Sequence, residues 1–132
     1  MSKVVRAGII GFGRMAETRH LPGLREAGRY EVVGVCDITE KRRQVAETTY
    51  GLRATGDLAE FLKWDLDLVV IATHSSQHYQ DAMQCLAARK HLLIEKPIAL
   101  TGAEAAEMVA TAKANGVTLT VYHNRHFDAD YR

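Results

Sequence analysis

The chain repeats one pattern from end to end: a short apolar, β-branched run, a turn, then a stretch with helical spacing. Residues 4–10 form the first such run, and helical spacing starts at about Arg14, where Pro22 is expected to break or kink the helix. Further strands are expected over 31–36, 53–55, 67–72, 91–94 and 117–122, with helices over 39–50, after Asp57, from Ser75 to about Ala88, and from Thr101 to Asn115-Gly116. Asp57 and Ser75 are expected helix caps, and Thr101 with Glu104 spells a capping box. Leu58, Phe61 and Leu62 share one face of their helix; Tyr79, Met83 and Leu86 form the expected inner face of the next. The longer strands are apolar without alternation, as in a parallel sheet covered on both faces. Strands that alternate with helices require right-handed crossovers. The expected fold class is therefore α/β, a doubly wound, mostly parallel sheet with helices on both faces.

Composition narrows the function. With 132 residues, 47% apolar and 25% charged, the chain has the length and balance of one globular domain. A formal net charge of +1 gives no electrostatic case for nucleic acid or an anionic membrane. No apolar run approaches the roughly 20 residues of a membrane span, and the opening MSKVVRAGII reads as a strand, not a signal peptide. Cys36 and Cys85 both sit in apolar segments, as expected for buried free thiols in a reducing cytoplasm. The six histidines are scattered, and no metal site is expected.

The turn after the first strand carries the strongest chemical signal. Gly8-Ile9-Ile10-Gly11-Phe12-Gly13-Arg14-Met15-Ala16 ends a strand and opens a helix. In a dinucleotide site Gly11 would allow the tight turn, Gly13 would let the backbone approach a diphosphate, and Ala16 would let the helix pack against the sheet. The helix start would add free N–H groups and partial positive charge. Gly8, Phe12, Arg14 and Met15 belong to the same candidate loop. Asp37 follows about 20 residues beyond Ala16, at the end of the second strand, where a carboxylate accepts ribose hydroxyls and repels a 2′-phosphate. That favours NAD over NADP. Lys41, Arg42 and Arg43 pull the other way, because a guanidinium there takes a phosphate or stacks on adenine; they also read as a solvated helix face. Two further readings of the glycines are a tight turn with no ligand and a methyltransferase loop; the spacing favours the dinucleotide.

Ligands of open parallel sheets sit outside the carboxyl ends of the strands. Those ends carry Gly11–Gly13, Asp37, Thr73-His74-Ser75, Glu95-Lys96 and His123-Asn124-Arg125. Lys96 is the candidate catalytic residue: an ammonium at the nicotinamide end hydrogen-bonds a substrate hydroxyl, polarises a carbonyl or takes part in proton transfer. Pro97 ends the strand, and a cis Lys96-Pro97 bond is open to it.

At these residues the sequence resembles the Gfo/Idh/MocA family of oxidoreductases. The resemblance rests on GIIGFGRMA, VVGVCD, VIATHSSQH, KHLLIEKPIAL and HNRHFD, and covers essentially the whole chain. It implies an N-terminal Rossmann domain for NAD or NADP and a larger C-terminal α/β domain carrying most of the substrate site. Carried onto this sequence, it makes Gly11, Gly13 and Ala16 the phosphate loop and Asp37 the ribose ligand. Thr73, His78 and Glu95 lie along the cofactor cleft, Lys96 lies beside nicotinamide and substrate, and Asn124 and Arg125 lie near the reacting end. His74 departs from the proline or asparagine usual in the family. The family's aspartate and histidine proton-transfer pair has no counterpart here. The expectation is a dinucleotide-binding domain over 1–122, with 123–132 starting the connection to a C-terminal domain absent from this chain. The parent would be an NAD(P)-dependent oxidoreductase for a sugar, cyclitol or similar polyol, homo-oligomeric through that domain, while this piece alone would bind NAD weakly without appreciable catalysis. The alternative is a non-catalytic sensor or co-repressor module of the same fold.

Overall fold

The computed structural model describes residues 3–122. Six strands form one parallel sheet: β1 (Val5–Ile10), β2 (Tyr30–Cys36), β3 (Arg53–Thr55), β4 (Leu68–Ile71), β5 (His91–Glu95) and β6 (Leu119–Tyr122). Their order is β3-β2-β1-β4-β5-β6. The chain winds outward from β1 through β3, returns to β4 beside β1, and winds the other way. The reversal leaves a crevice above the carboxyl ends of β1 and β4, where such sheets hold ligands.

Both faces of the sheet are covered, which explains the strands' unbroken apolar runs. In β4, Val69 and Ile71 enter one core and Val70 enters the other. The first core is closed by Phe61 of α3 (Leu58–Phe61), Cys85 and Leu86 of α4 (His78–Ala87), and Met108 of α5 (Gly102–Ala114). The second is closed by Leu21 and Leu24 of α1 (Leu21–Ala27) and Ala46 of α2 (Glu40–Tyr50).

The first crossover departs from expectation. Pro22 does not break the helix. A π-helical turn, Ala16–His20, runs into α1, and the Leu21 N–H donates to the Ala16 carbonyl five residues back. Proline lacks the N–H for an ordinary turn and its ring crowds the carbonyl four residues earlier, so a wider turn carries the chain past it. Pro22 then sits in the first turn of α1, where a missing N–H costs little. The detour also buries His20 at 4% exposure, facing the end of β5.

Gly8 is corrected from loop residue to packing residue. Pairing between β1 and β2 shifts after Ala7, so that Val33 is left over and Gly8 lies opposite Gly34. A Cβ on Gly8 would come within 2.6 Å of Phe61, and one on Gly34 within 2.8 Å of Trp64 and 2.2 Å of the Arg53 carbonyl. Two facing glycines thus make the hollow that Phe61 and Trp64 fill, their centroids 5.1 Å apart.

Asp57 caps α3 as expected, accepting from the Ala59 N–H at 2.9 Å, and Thr101 caps α5 by accepting from the Glu104 N–H at 3.1 Å. Ser75 is not a cap: it opens a 3-10 turn, Ser75–Gln77, whose cap is His74 through Nδ1 and the Ser76 N–H. The inner face of α4 is also shifted. His78, Asp81, Ala82, Cys85 and Leu86 are buried, while Tyr79 and Met83 are only partly covered. Both cysteines are buried and free.

Candidate functional site

Two hollows lie along the carboxyl ends of the strands. The larger, about 370 Å³, is walled by Ile10, Gly11 and Gly13 after β1, by Cys36, Asp37 and Ile38 at the end of β2, by Gly56 and Leu58, and by Ala72, Thr73, His74, Gln77 and Asp81 beyond β4. The smaller, about 140 Å³, is walled by Met15, Glu95, Lys96 and Tyr122. The glycine loop touches the first and the helix it opens touches the second.

Gly11 adopts φ +88°, a left-handed conformation that glycine takes without penalty, and a Cβ there would press on the Ala72 carbonyl at 2.9 Å. Its N–H donates to the Cys36 carbonyl at 2.7 Å, so the loop is stitched to β2. Gly13 is different: nothing lies within 4 Å of the place a Cβ would take. Phe12 points inward, fully buried, with its ring edge-on to Tyr50 at 5.7 Å. Ala16 is fully buried under the sheet, whereas Arg14 is exposed.

Asp37 links the loop to β2. Its carboxylate accepts from the Phe12 N–H at 2.7 Å and from the Thr39 N–H at 2.8 Å. Each oxygen keeps lone pairs for a further donor. Arg43, not Arg42, reaches this corner: its guanidinium donates to the Asp37 backbone carbonyl at 2.8 Å and lies over Gly56. Arg42 is exposed on α2, with no side-chain hydrogen bond among the described residues.

On the far wall, the Thr73 hydroxyl donates to the Asp81 carboxylate at 2.8 Å. Burial pushes the Asp81 carboxyl above the usual range, partly offset by the Thr73 hydroxyl and by His78. His74 is exposed at the cavity edge. His78 is not open to the cleft; it is 2% exposed, and its ring bridges the Thr73 carbonyl and the Pro97 carbonyl. Burial pushes the Cys36 thiol up to about 11, with Asp81 and Asp37 adding to the shift.

Glu95 closes β5 rather than standing beyond it, and its carboxylate meets His20 Nε2 at 2.7 Å. The His20 ring lies edge-on to Tyr122 at 4.8 Å. Lys96 is exposed beside that pair, and the Lys96-Pro97 bond is cis. Asn124 and Arg125 lie outside the described residues. Among the described residues, no three His, Cys, Asp or Glu side chains gather as metal ligands, and no helix is long and apolar enough to cross a membrane.

The structure therefore brings Gly11, Gly13, Asp37, Thr73 and His74 to one cavity, and Met15, Glu95 and Lys96 to another. Sequence reading passed over His20 and Asp81. Asp81 had a usable signal, since it lies three residues after His78 and shares its helix face. His20 had none, because its partner is 75 residues away.

A dinucleotide suits these hollows: the empty space over Gly13 admits a diphosphate, and the larger, mostly apolar cavity has in its wall the Asp37 carboxylate, suited to hydroxyls. Comparison with known proteins agrees. An uncharacterized oxidoreductase of Escherichia coli, YhhX, is 37% identical over 96% of this chain and 37% of its own length. The scyllo-inositol 2-dehydrogenase (NADP(+)) IolW of Bacillus subtilis is 30% identical over 96% of this chain and 35% of its own. The WlbA dehydrogenase of Bordetella pertussis, solved in complex with NADH and UDP-GlcNAcA, superposes with a TM-score of 0.88 at 31% identity, covering 94% of this chain and 38% of that one. The chain thus spans less than two-fifths of each relative. Residues 5–123 match the model of an oxidoreductase family with an NAD-binding Rossmann fold, and on that match the chain belongs to the Gfo/Idh/MocA family.

Proposed function

We propose that this chain is the cofactor-binding part of an oxidoreductase that moves hydride between a nicotinamide dinucleotide and a sugar, cyclitol or similar polyol. The observation that carries the reading is the pair of hollows at the strand ends, one with Asp37 in its wall and empty space over Gly13, the other at Lys96. Gly11 and Gly13 would hold the diphosphate, Asp37 the adenosine ribose, and Ile38 with Leu58 the faces of the adenine. Bound there, the cofactor supplies the hydride donor or acceptor. Lys96 would hold a proton at Nζ against the reacting oxygen, its turn anchored from below. The polyol class comes from what the names of IolW and WlbA's bound ligand say of those proteins. The remaining substrate wall would come from a further domain, in keeping with the share of each relative that the chain spans.

NAD is the preferred cofactor in this reading. Asp37 offers a carboxylate where NADP carries a 2′-phosphate, and Arg43 is already engaged with the Asp37 carbonyl. Titration calorimetry of the chain with NADH and with NADPH tests both levels. Tighter binding of NADH is expected; equal or tighter NADPH would overturn the preference, and heat with neither would overturn binding. In a protein that includes the substrate domain, Lys96→Ala is expected to abolish turnover while NADH binding persists. Unchanged turnover would return the case to a sensor.

A further inference from the structure

The larger hollow has a second carboxylate in its wall, and the fold leaves it half used. Asp81 lies in the first turn of α4 and is 8% exposed. It stands at the inner end of the hollow with the buried Ile10 and Cys36, whereas Ile38, His74 and Gln77 are exposed at the rim. Asp81 Oδ2 accepts from the Thr73 hydroxyl at 2.8 Å, and Oδ1 has no hydrogen-bond partner among the described residues. Nor is Oδ1 sealed away: among those residues the one buried side-chain nitrogen or oxygen without a partner is Trp64 Nε1. Oδ1 therefore keeps open surface, and the space that Asp81 borders is the hollow. The Cys36 thiol is pushed up by Asp81 and by Asp37, which sets both carboxylates near one residue of the floor.

A carboxylate only accepts, so whatever Oδ1 meets must donate. In a nicotinamide dinucleotide the diphosphate only accepts. The donors are the ribose hydroxyls, the nicotinamide carboxamide and the exocyclic amino group of adenine. The adenosine ribose goes to Asp37, and the nicotinamide half goes to the other hollow, beside Lys96. The adenine amino group is the donor that remains. With its flat faces against Ile38 and Leu58, the base turns an edge to the inner end of the hollow. One free oxygen makes one such bond; guanine presents two adjacent donors and would need both oxygens, one of which Thr73 holds. Gln77 at the rim offers a donor and an acceptor, so it does not choose between bases.

We propose that Asp81 reads the base of the cofactor: its free oxygen accepts from the adenine amino group and selects an adenine dinucleotide. This role rests on the proposed dinucleotide binding and adds to it a choice that Asp37 cannot make, because Asp37 meets the sugar. The Thr73 hydroxyl holds the carboxylate in one rotation, so the loop after β4 sets the direction of Oδ1. A donor at Oδ1 also offsets the burial that pushes this carboxyl up. A carboxylate in a first helical turn is favoured by the helix dipole whatever binds nearby, so the base, and not stability, is what an experiment has to read.

Titration calorimetry of the chain with NADH and with its hypoxanthine analogue, which carries a carbonyl in place of the adenine amino group, tests this. The unaltered chain is expected to bind NADH about tenfold more tightly, since the analogue sets a carbonyl oxygen against the carboxylate. Asp81→Asn keeps an oxygen for the Thr73 hydroxyl and turns an NH2 toward the base, so the preference is expected to shrink to within about twofold or to reverse. A second readout needs no variant: the side-chain carboxyl carbon of Asp81, followed by ¹³C NMR, is expected to shift on adding NADH and to shift less with the analogue. Equal affinity of the unaltered chain for the two dinucleotides, a preference that survives in Asp81→Asn, or a carboxyl carbon blind to NADH overturns the role of Asp81. Heat with neither dinucleotide overturns the binding itself, and the role of Asp81 with it, whereas heat with both at equal affinity overturns the role alone.

Discussion

Single residues here serve the fold and the groove at once, and Cys36 shows the conflict. It ends β2, lines the larger hollow, and is 5% exposed. Burial raises its thiol from an ordinary 9.0 to about 11, so the folded state disfavours the thiolate. For an acid whose folded value is raised, the favourable contribution is complete below the unfolded value and is lost as pH climbs through the folded one. The chain is therefore expected to lose stability between about pH 9 and pH 11 through this group, as read by urea denaturation across that range. Cys36→Ala should lessen that loss without abolishing it, because burial also pushes the Cys85 thiol up. A thiol reagent should leave Cys36 unmodified at neutral pH and modify it in denaturant. Asp37, next in sequence, lines the same hollow and holds two backbone N–H groups with its carboxylate. Its place after β2 made it a candidate ribose ligand in the sequence, but its tie to Phe12 was not legible, because that contact crosses 25 residues.

Elements meet at close approaches that side chains set, and two of these make firm predictions. Gly34→Ala would place a Cβ 2.2 Å from the Arg53 carbonyl, a backbone atom that moves only with β3. Gly8→Ala meets Phe61 and Leu66, side chains that can turn. The expected costs are about 3 kcal/mol for Gly34→Ala and about half that for Gly8→Ala, the difference between shifting backbone and shifting side chains. Equal costs would mean that the bulge at Val33 absorbs the added methyl. The second site is the end of α4. Arg89 adopts φ +60° there, whereas α1 and α2 end on Gly28 and Gly51 in the same left-handed region. Its side chain gains only a long, exposed contact with the Asn115 carbonyl at 3.3 Å. Arg89→Gly is expected to stabilise the chain by about 0.5–1 kcal/mol, the relief of left-handed strain less the entropy glycine adds to the unfolded state. Helix ends were legible where glycine or a cap marked them. The π-helical turn was not, since Pro22 signals an interruption without saying how the chain absorbs it.

At the scale of the molecule, the alternation of apolar runs and helices was enough to read the parallel sheet, because unbroken hydrophobicity reports burial on both faces. Which glycine meets a ligand and which meets a side chain was not readable: Gly8, Gly11 and Gly13 share one motif, yet one packs under Phe61, one turns the backbone and one borders empty space. The same applies to the histidines, whose partners lie in other elements. That division of labour gives a discriminating experiment on the whole fold. A ligand across the groove would bridge the ends of β1, β2, β4 and β5, and binding only the folded state it would raise the melting temperature with concentration. At about one hundred times Kd the gain is roughly 2.7 kcal/mol. Gly13→Val adds a side chain where nothing lies within 4 Å, so the free chain should melt within about 1 kcal/mol of the original. The same side chain would occupy the space a diphosphate needs, and the NADH-dependent rise should vanish. If Gly13→Val kept its full response to NADH, the diphosphate could not lie over Gly13, and the path of the cofactor from Asp37 to Lys96 would have to be redrawn.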